Sequence, residues 1–144
     1  MESQPKIFTS NYWRYKGEGR VAISRSSPRN APAGFKIYRA LAPGTWFNKP
    51  PYCDDEAVYR ERYETEILKP LNATQVYADL LVLTDGHPPV LLCWEDVTKE
   101  GQWCHRRMAA AWFERELGFS VPEYEPILPQ KSRLQLPLFD VVSG

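Results

Sequence analysis

"VLLCWEDVTKEGQWCHRRMAAAWFEREL", residues 90–117, decides the fold. It opens on an unbroken apolar run, Val90, Leu91, Leu92 and Cys93, preceded by the turn residues Gly86, Pro88 and Pro89. A run this short, bounded by turn signals, reads as a strand buried on both faces. From Trp103 onward the period changes. At about 100° per residue, His105, Met108, Ala109, Trp112, Phe113 and Leu117 cover one broad stripe, and Gly118 stands where a helix stops. Arg107 and Glu114 fall opposite that stripe, and Arg106 lies at its border. A buried strand feeding an amphipathic helix is the βα unit of α/β folds.

The flanking sequence extends this pattern. Residues 6–13, 20–24 and 35–41 carry aromatic and β-branched residues and are predicted as strands. Residues 25–34 and 42–53 hold the Pro, Gly, Ser and Asn of loops. Three acids, Asp54, Asp55 and Glu56, open a helix over 54–69 at its positive end, with Tyr59, Tyr63 and Ile67 on one face and Pro70 as its stop. "NATQ" (72–75) resembles a capping box, and the helix it starts runs toward Gly86. The order implies a single small α/β domain, a mostly parallel sheet flanked by helices. The domain spans residues 1–124, and an extended C-terminal tail occupies 125–144.

Composition narrows the class. Eighteen basic residues balance eighteen acidic ones, so any nucleic-acid contact has to come from a local basic patch. No apolar run is long enough to span a membrane, and the first residues lack the apolar core of a secretory signal. An odd count of three cysteines without such a signal predicts reduced thiols in a cytoplasm.

Ligands of open α/β sheets bind outside the carboxyl ends of the strands. Cys93 and Glu95 lie at that end of one strand, Ser24 and Arg25 at that end of another, and the helix carrying His105 starts on the same side. This predicts an anion pocket in which Arg25, Arg29 and Arg106 bind a phosphate or carboxylate at a helix start. Glu95 and His105 are the candidate acid/base groups. Cys93 reads as a nucleophile activated by the helix start and His105, as a small core hydrophobe, or as the partner of Cys104 in a disulfide or redox couple, although their spacing is not C-x-x-C. Structural alternatives exist for the others too: Arg25 pairing with Glu95, and His105 as a satisfied core histidine. Cys93, Cys104 and His105 lack the paired spacing of structural zinc sites, so no metal and no cofactor is expected. Trp46, Phe47, Trp94 and Trp103 flank the pocket, as stacking platforms or as core.

These residues resemble the signature of a family, the domain of unknown function 488. Leu91, Leu92, Cys93 and Glu95 match a strand ending L-L-C-x-E, and Cys104, His105 and Arg106 match C-H-R opening a helix. Ile23, Ser24 and Arg25, followed by Pro28 and Arg29, resemble its other landmark, a strand ending D-V-R before a Pro-containing loop. Ser24 replaces the acid of that landmark, and Thr9, Ser10 and Asn11 stand where a glycine–histidine pair is usual. The resemblance covers residues 6–124 and implies the fold and the position of the site.

The tail carries a separate signal. Gln135, Leu136, Leu138 and Phe139 in "QLPLF" (135–139) resemble the pentapeptide by which bacterial polymerases and repair proteins bind the replicative sliding clamp. Alternate apolar side chains of an extended peptide fill a preformed groove, and the glutamine sets the register. The other reading is an edge strand, to which Pro137 would confine it. Two functions follow: a DNA- or nucleotide-directed enzyme recruited by the clamp, or a non-catalytic nucleotide- or protein-binding module whose main partner is the clamp.

Overall fold

The computed structural model describes residues 6–95 and 102–125. The peptide 135–139, with Gln135, Leu136, Leu138 and Phe139, lies outside the described residues, as do residues 96–101.

Among the described residues, four strands form one parallel sheet: β1 (Phe8–Asn11), β2 (Arg20–Ala22), β3 (Lys36–Ile37) and β4 (Val90–Cys93). Their order across the sheet is β1-β4-β2-β3. β4 lies inside the sheet, and all four of its residues are buried, as its unbroken apolar run requires. The fold is the expected small α/β domain.

The helices are α1 (Glu56–Arg62), α2 (Ala73–Leu83) and α3 (His105–Leu117). Their ends are set locally. The Asp55 carboxylate accepts from the backbone N–H groups of Ala57 and Val58, and Asn72 Oδ1 accepts from the N–H of Gln75. Gly118 closes α3 with φ 81°, a left-handed conformation that favours glycine, and its N–H donates to Glu114 O. Among the described residues no helix is long and apolar enough to cross a membrane.

The predicted helix 54–69 is helical throughout, but not uniformly so. α1 continues as a π-helical segment, Tyr63–Leu68, in which Lys69 N–H reaches back to Glu64 O. A π turn advances the buried face by five residues instead of four. Leu68 therefore follows Tyr63 into the core, and Ile67, the expected face residue, is only half-buried. The predicted strand 35–41 is also shorter than expected. β3 keeps two exposed edge residues, and Arg39–Leu41 turns into a 3-10 helix that buries Leu41.

The two faces of the sheet are covered differently. Val21, Leu91, Ile7 and Ile23 belong to the main core with Tyr63, Leu80, Ala109 and Phe113 from the helical elements. Val90, Leu92 and Ala22 face the other way, against Tyr12, Tyr15, Ala31 and Phe35 from loops. After α3 the chain returns to the free edge of β1, where Glu123 bridges Thr9 and Tyr124 N–H donates to Thr9 O.

Candidate functional site

β4 ends at Cys93, β2 ends at Ala22, and α3 starts at His105 on that same side of the sheet. Between them opens a cavity of about 360 Å³. Its lining includes Ser24, Arg25 and Ser26 after β2, Cys93, Trp94 and Glu95 from β4 and its exit, and Cys104 and His105 at the start of α3. Phe47, Tyr59 and Trp103 supply aromatic walls. The volume falls within the range of small-ligand pockets, roughly 300–1,000 Å³.

Cys93 and Cys104 are paired as a disulfide, with Cα atoms 7.1 Å apart. The two sulfurs therefore stand where they can pair, the alternative to the reduced thiols that composition suggests. Eleven residues separate the two cysteines, so only the return of the chain from β4 to the N-cap of α3 brings them together. The disulfide also withholds from Cys93 the thiolate that a nucleophile needs. Cys53 is free and exposed on the cavity wall. His87 is exposed, 3.8 Å from Glu18.

His105 is buried, with Nε2 2.7 Å from the carbonyl oxygen of Ile23. A carbonyl only accepts, so Nε2 carries the proton and Nδ1 holds a bare lone pair. That lone pair faces sulfur: Nδ1 is 3.5 Å from Cys93 Sγ and 3.7 Å from Cys104 Sγ. Burial pushes the His105 pKa down to about 4; the bond to Ile23 opposes the shift and the charge of Arg106 adds to it. His105 thus meets the description of a satisfied core histidine on its Nε2 side and faces the two sulfurs on its Nδ1 side. The Cys93 and Cys104 sulfurs and His105 Nδ1 all lie within 4.8 Å of one another, a group the sequence spacing did not suggest.

Glu95 sits at the cavity mouth. The residue is exposed, but its carboxylate leans inward, with Oε1 3.6 Å from Cys93 Sγ. A disulfide sulfur has no hydrogen to donate, so this approach is a contact and not a hydrogen bond. Desolvation by the cavity wall raises the Glu95 pKa, against the pull of Arg106. Arg25 lines the cavity and donates from Nη1 to Pro43 O at 3.1 Å; it does not pair with Glu95.

Of the three predicted anion ligands, Arg25 lines the cavity and Arg29 and Arg106 do not. Arg106 is fully buried and does not line the cavity. Its Nε and Nη2 grip the two carboxylate oxygens of Glu123 at 3.1 and 2.8 Å, and Nη1 donates to Glu95 O at 2.7 Å. A fully buried guanidinium spent on a bidentate pair with a part-buried carboxylate is a structural cation. The helix wheel put Arg106 at the border of the apolar stripe, but could not show that the chain after Gly118 returns beside it. Arg29 is exposed and outside the cavity lining. Arg107, expected to point away from the core, bends back instead, and Nη1 donates to Thr9 Oγ1 and Val121 O. Thr9, Glu123, Arg106 and Arg107 thus tie α3 to the edge of the sheet.

The aromatic residues divide. Trp46 is buried core, its Nε1 donating to Glu66. Trp103 packs edge-on against Tyr59 at 4.9 Å, half-buried. Trp94 is 44% exposed and anchored by Nε1 to Ser26 O. It meets Tyr12 and Trp13 edge-on, and Trp13 is itself exposed. The sequence places Ser24 at a strand exit, but does not show its bond to Tyr12. The Tyr12 hydroxyl donates to Ser24 Oγ, which donates to Ser26 O, bracing the loop that presents Arg25. No local pattern marks that pair, because the two residues belong to different strand exits. Comparison with family models, with curated proteins and with solved structures finds no match to this chain.

Proposed function

We propose that this protein is a DNA- or nucleotide-directed enzyme that binds its ligand in the cavity at the carboxyl ends of β2 and β4. The observation that carries this reading is the mixed wall of that cavity. Phe47, Tyr59, Trp94 and Trp103 offer apolar faces, Arg25 a cation and Glu95 a carboxylate within one space of about 360 Å³. Aromatic walls suit a planar base, since stacking contributes about 1–3 kcal/mol per base. A single guanidinium at the rim suits a phosphate. Glu95, at the mouth, is the candidate acid/base group. Recruitment to DNA through the bacterial sliding clamp, by Gln135, Leu136, Leu138 and Phe139, rests on the order of those residues.

Binding of nucleoside monophosphates and diphosphates, measured by calorimetry, tests the cavity. Arg25→Ala is expected to weaken binding by tenfold or more, about 1.4 kcal/mol, whereas Arg29→Ala leaves it unchanged. Glu95→Gln is expected to keep binding and to lower turnover by about 10²–10⁴-fold. Equal effects of the two arginine substitutions would remove the phosphate from this cavity.

For the tail, a peptide of residues 131–144 is expected to bind the clamp with micromolar affinity, about −8 kcal/mol. Phe139→Ala should weaken it by about 2 kcal/mol or more, and Asp140→Ala hardly at all. A Phe139→Ala protein that keeps its clamp affinity but melts earlier would mean that the tail is packed structure.

A further inference from the structure

We propose that the reduced protein binds one zinc-class divalent ion through Cys93 Sγ, Cys104 Sγ and His105 Nδ1, with the fourth coordination position open to the cavity. The three atoms come from the end of β4 and the start of α3, and all lie within 4.8 Å of one another. Zinc bonds to sulfur at about 2.3 Å and to imidazole nitrogen at about 2.05 Å, so a tetrahedral ion separates S and N by about 3.6 Å. The observed Nδ1–Sγ distances are 3.5 Å and 3.7 Å.

Three further features fit an ion. The bond from His105 Nε2 to Ile23 O leaves Nδ1 as the unprotonated nitrogen, which is how a second contact prepares a histidine ligand. Cys93 closes β4 and Cys104 is the N-cap of α3, with their Cα atoms 7.1 Å apart. The backbone therefore already holds the sulfurs on separate supports. Two sulfurs and one imidazole form a donor set for a soft or borderline ion, and Glu95 Oε1 stands 3.6 Å from Cys93 Sγ at the cavity side. Three protein ligands with an open position is the pattern of a catalytic zinc, where structural sites use four.

Disulfide and ion exclude each other. Two equivalents of a small monothiol open the bond: their sulfurs join as a new disulfide, and their two protons pass to Cys93 and Cys104. The ion then displaces those two protons, leaving two thiolate ligands. The site would thus be loaded under reducing conditions and emptied by oxidation.

The test uses the full chain purified with a monothiol reductant and reads metal directly, independently of any nucleotide. Cobalt(II) is titrated in and its thiolate charge-transfer absorption followed, and zinc per chain is measured by elemental analysis after buffer exchange. One ion per chain is expected for the wild type and for Cys53→Ser. Cys93→Ser, Cys104→Ser and His105→Ala should each lose stoichiometric uptake. Where a variant melts early, the wild type alone decides: oxidation to the disulfide should release the ion, and reduction should restore uptake. Reduced wild type without retained metal, uptake unchanged in Cys104→Ser, or an ion that stays bound after oxidation would each overturn the proposal. Nucleotide binding that persists in metal-free protein would leave the cavity reading intact and separate it from this one.

Discussion

Glu123→Ala is expected to destabilise the protein by about 3–5 kcal/mol, the usual cost of leaving one half of a buried ion pair alone. For a domain of this size that corresponds to a melting temperature lower by roughly 10–15 °C. Glu123 receives three hydrogen bonds: two from the Arg106 guanidinium and one from Thr9 Oγ1 at 2.7 Å. Arg106 has no exposed surface, so water cannot take over. The double variant Arg106→Met, Glu123→Leu removes both charges and fills the space, and it should recover most of the loss. Thermal unfolding of the three proteins checks this. Were Arg106 the anion ligand that its place at a helix start suggested, Glu123→Ala would instead free it, raise anion affinity and leave the melting temperature almost unchanged.

The second large effect is a loss of stability in acid. His105 in the fold has a pKa of about 4, below its ordinary value of 6.5. Below pH 6.5 the unfolded chain takes up a proton that the folded protein refuses. The contribution of His105 is therefore fully present above pH 6.5 and falls away as the pH drops toward 4. A difference of two to three pH units corresponds to about 3 kcal/mol. Glu95, whose pKa is raised, acts in the opposite sense: its contribution is present below the ordinary carboxylate range and is lost as pH rises through its folded value. Denaturant unfolding between pH 7.5 and 4.5, on the oxidised metal-free protein, should show the decline. In His105→Gln, where the amide still donates toward Ile23 O, the decline should be smaller by most of that amount. A pH profile of the same slope in both proteins would mean that His105 does not carry it.

Much of this fold is written locally. The run Val90–Cys93 has no polar residue with which to face water, so it takes a place inside the sheet whatever its neighbours are. Asp55 and Asn72 cap helices by bonds to their own next turn, and Gly118 ends α3 through its own backbone freedom. The position of the cavity is legible for the same reason. Strand exits and helix starts are local signals, and in a parallel sheet they converge on one side.

What each side chain does there was decided elsewhere. Periodicity assigns a residue to a face, but a partner across the fold is set by the path of the chain. Arg106 reads as a free cation in its own helix because Glu123 lies 17 residues on, beyond the helix stop. His105 takes its tautomer from Ile23, 82 residues upstream. The π-helical turn that exchanges Ile67 for Leu68 follows from packing against the core, since the sequence of 63–68 reads as ordinary helix. Local patterns specify a βα unit, a parallel sheet and a cluster of Cys93, Glu95, Cys104 and His105 at one end of it. The packing of distant segments adds that two sulfurs and one imidazole nitrogen meet, that Arg106 is spent on Glu123 and that Arg25 remains at the cavity. Local sequence fixes conformation within a few residues, whereas the charge and ligand state of a side chain depends on atoms that distant segments bring within about 4 Å.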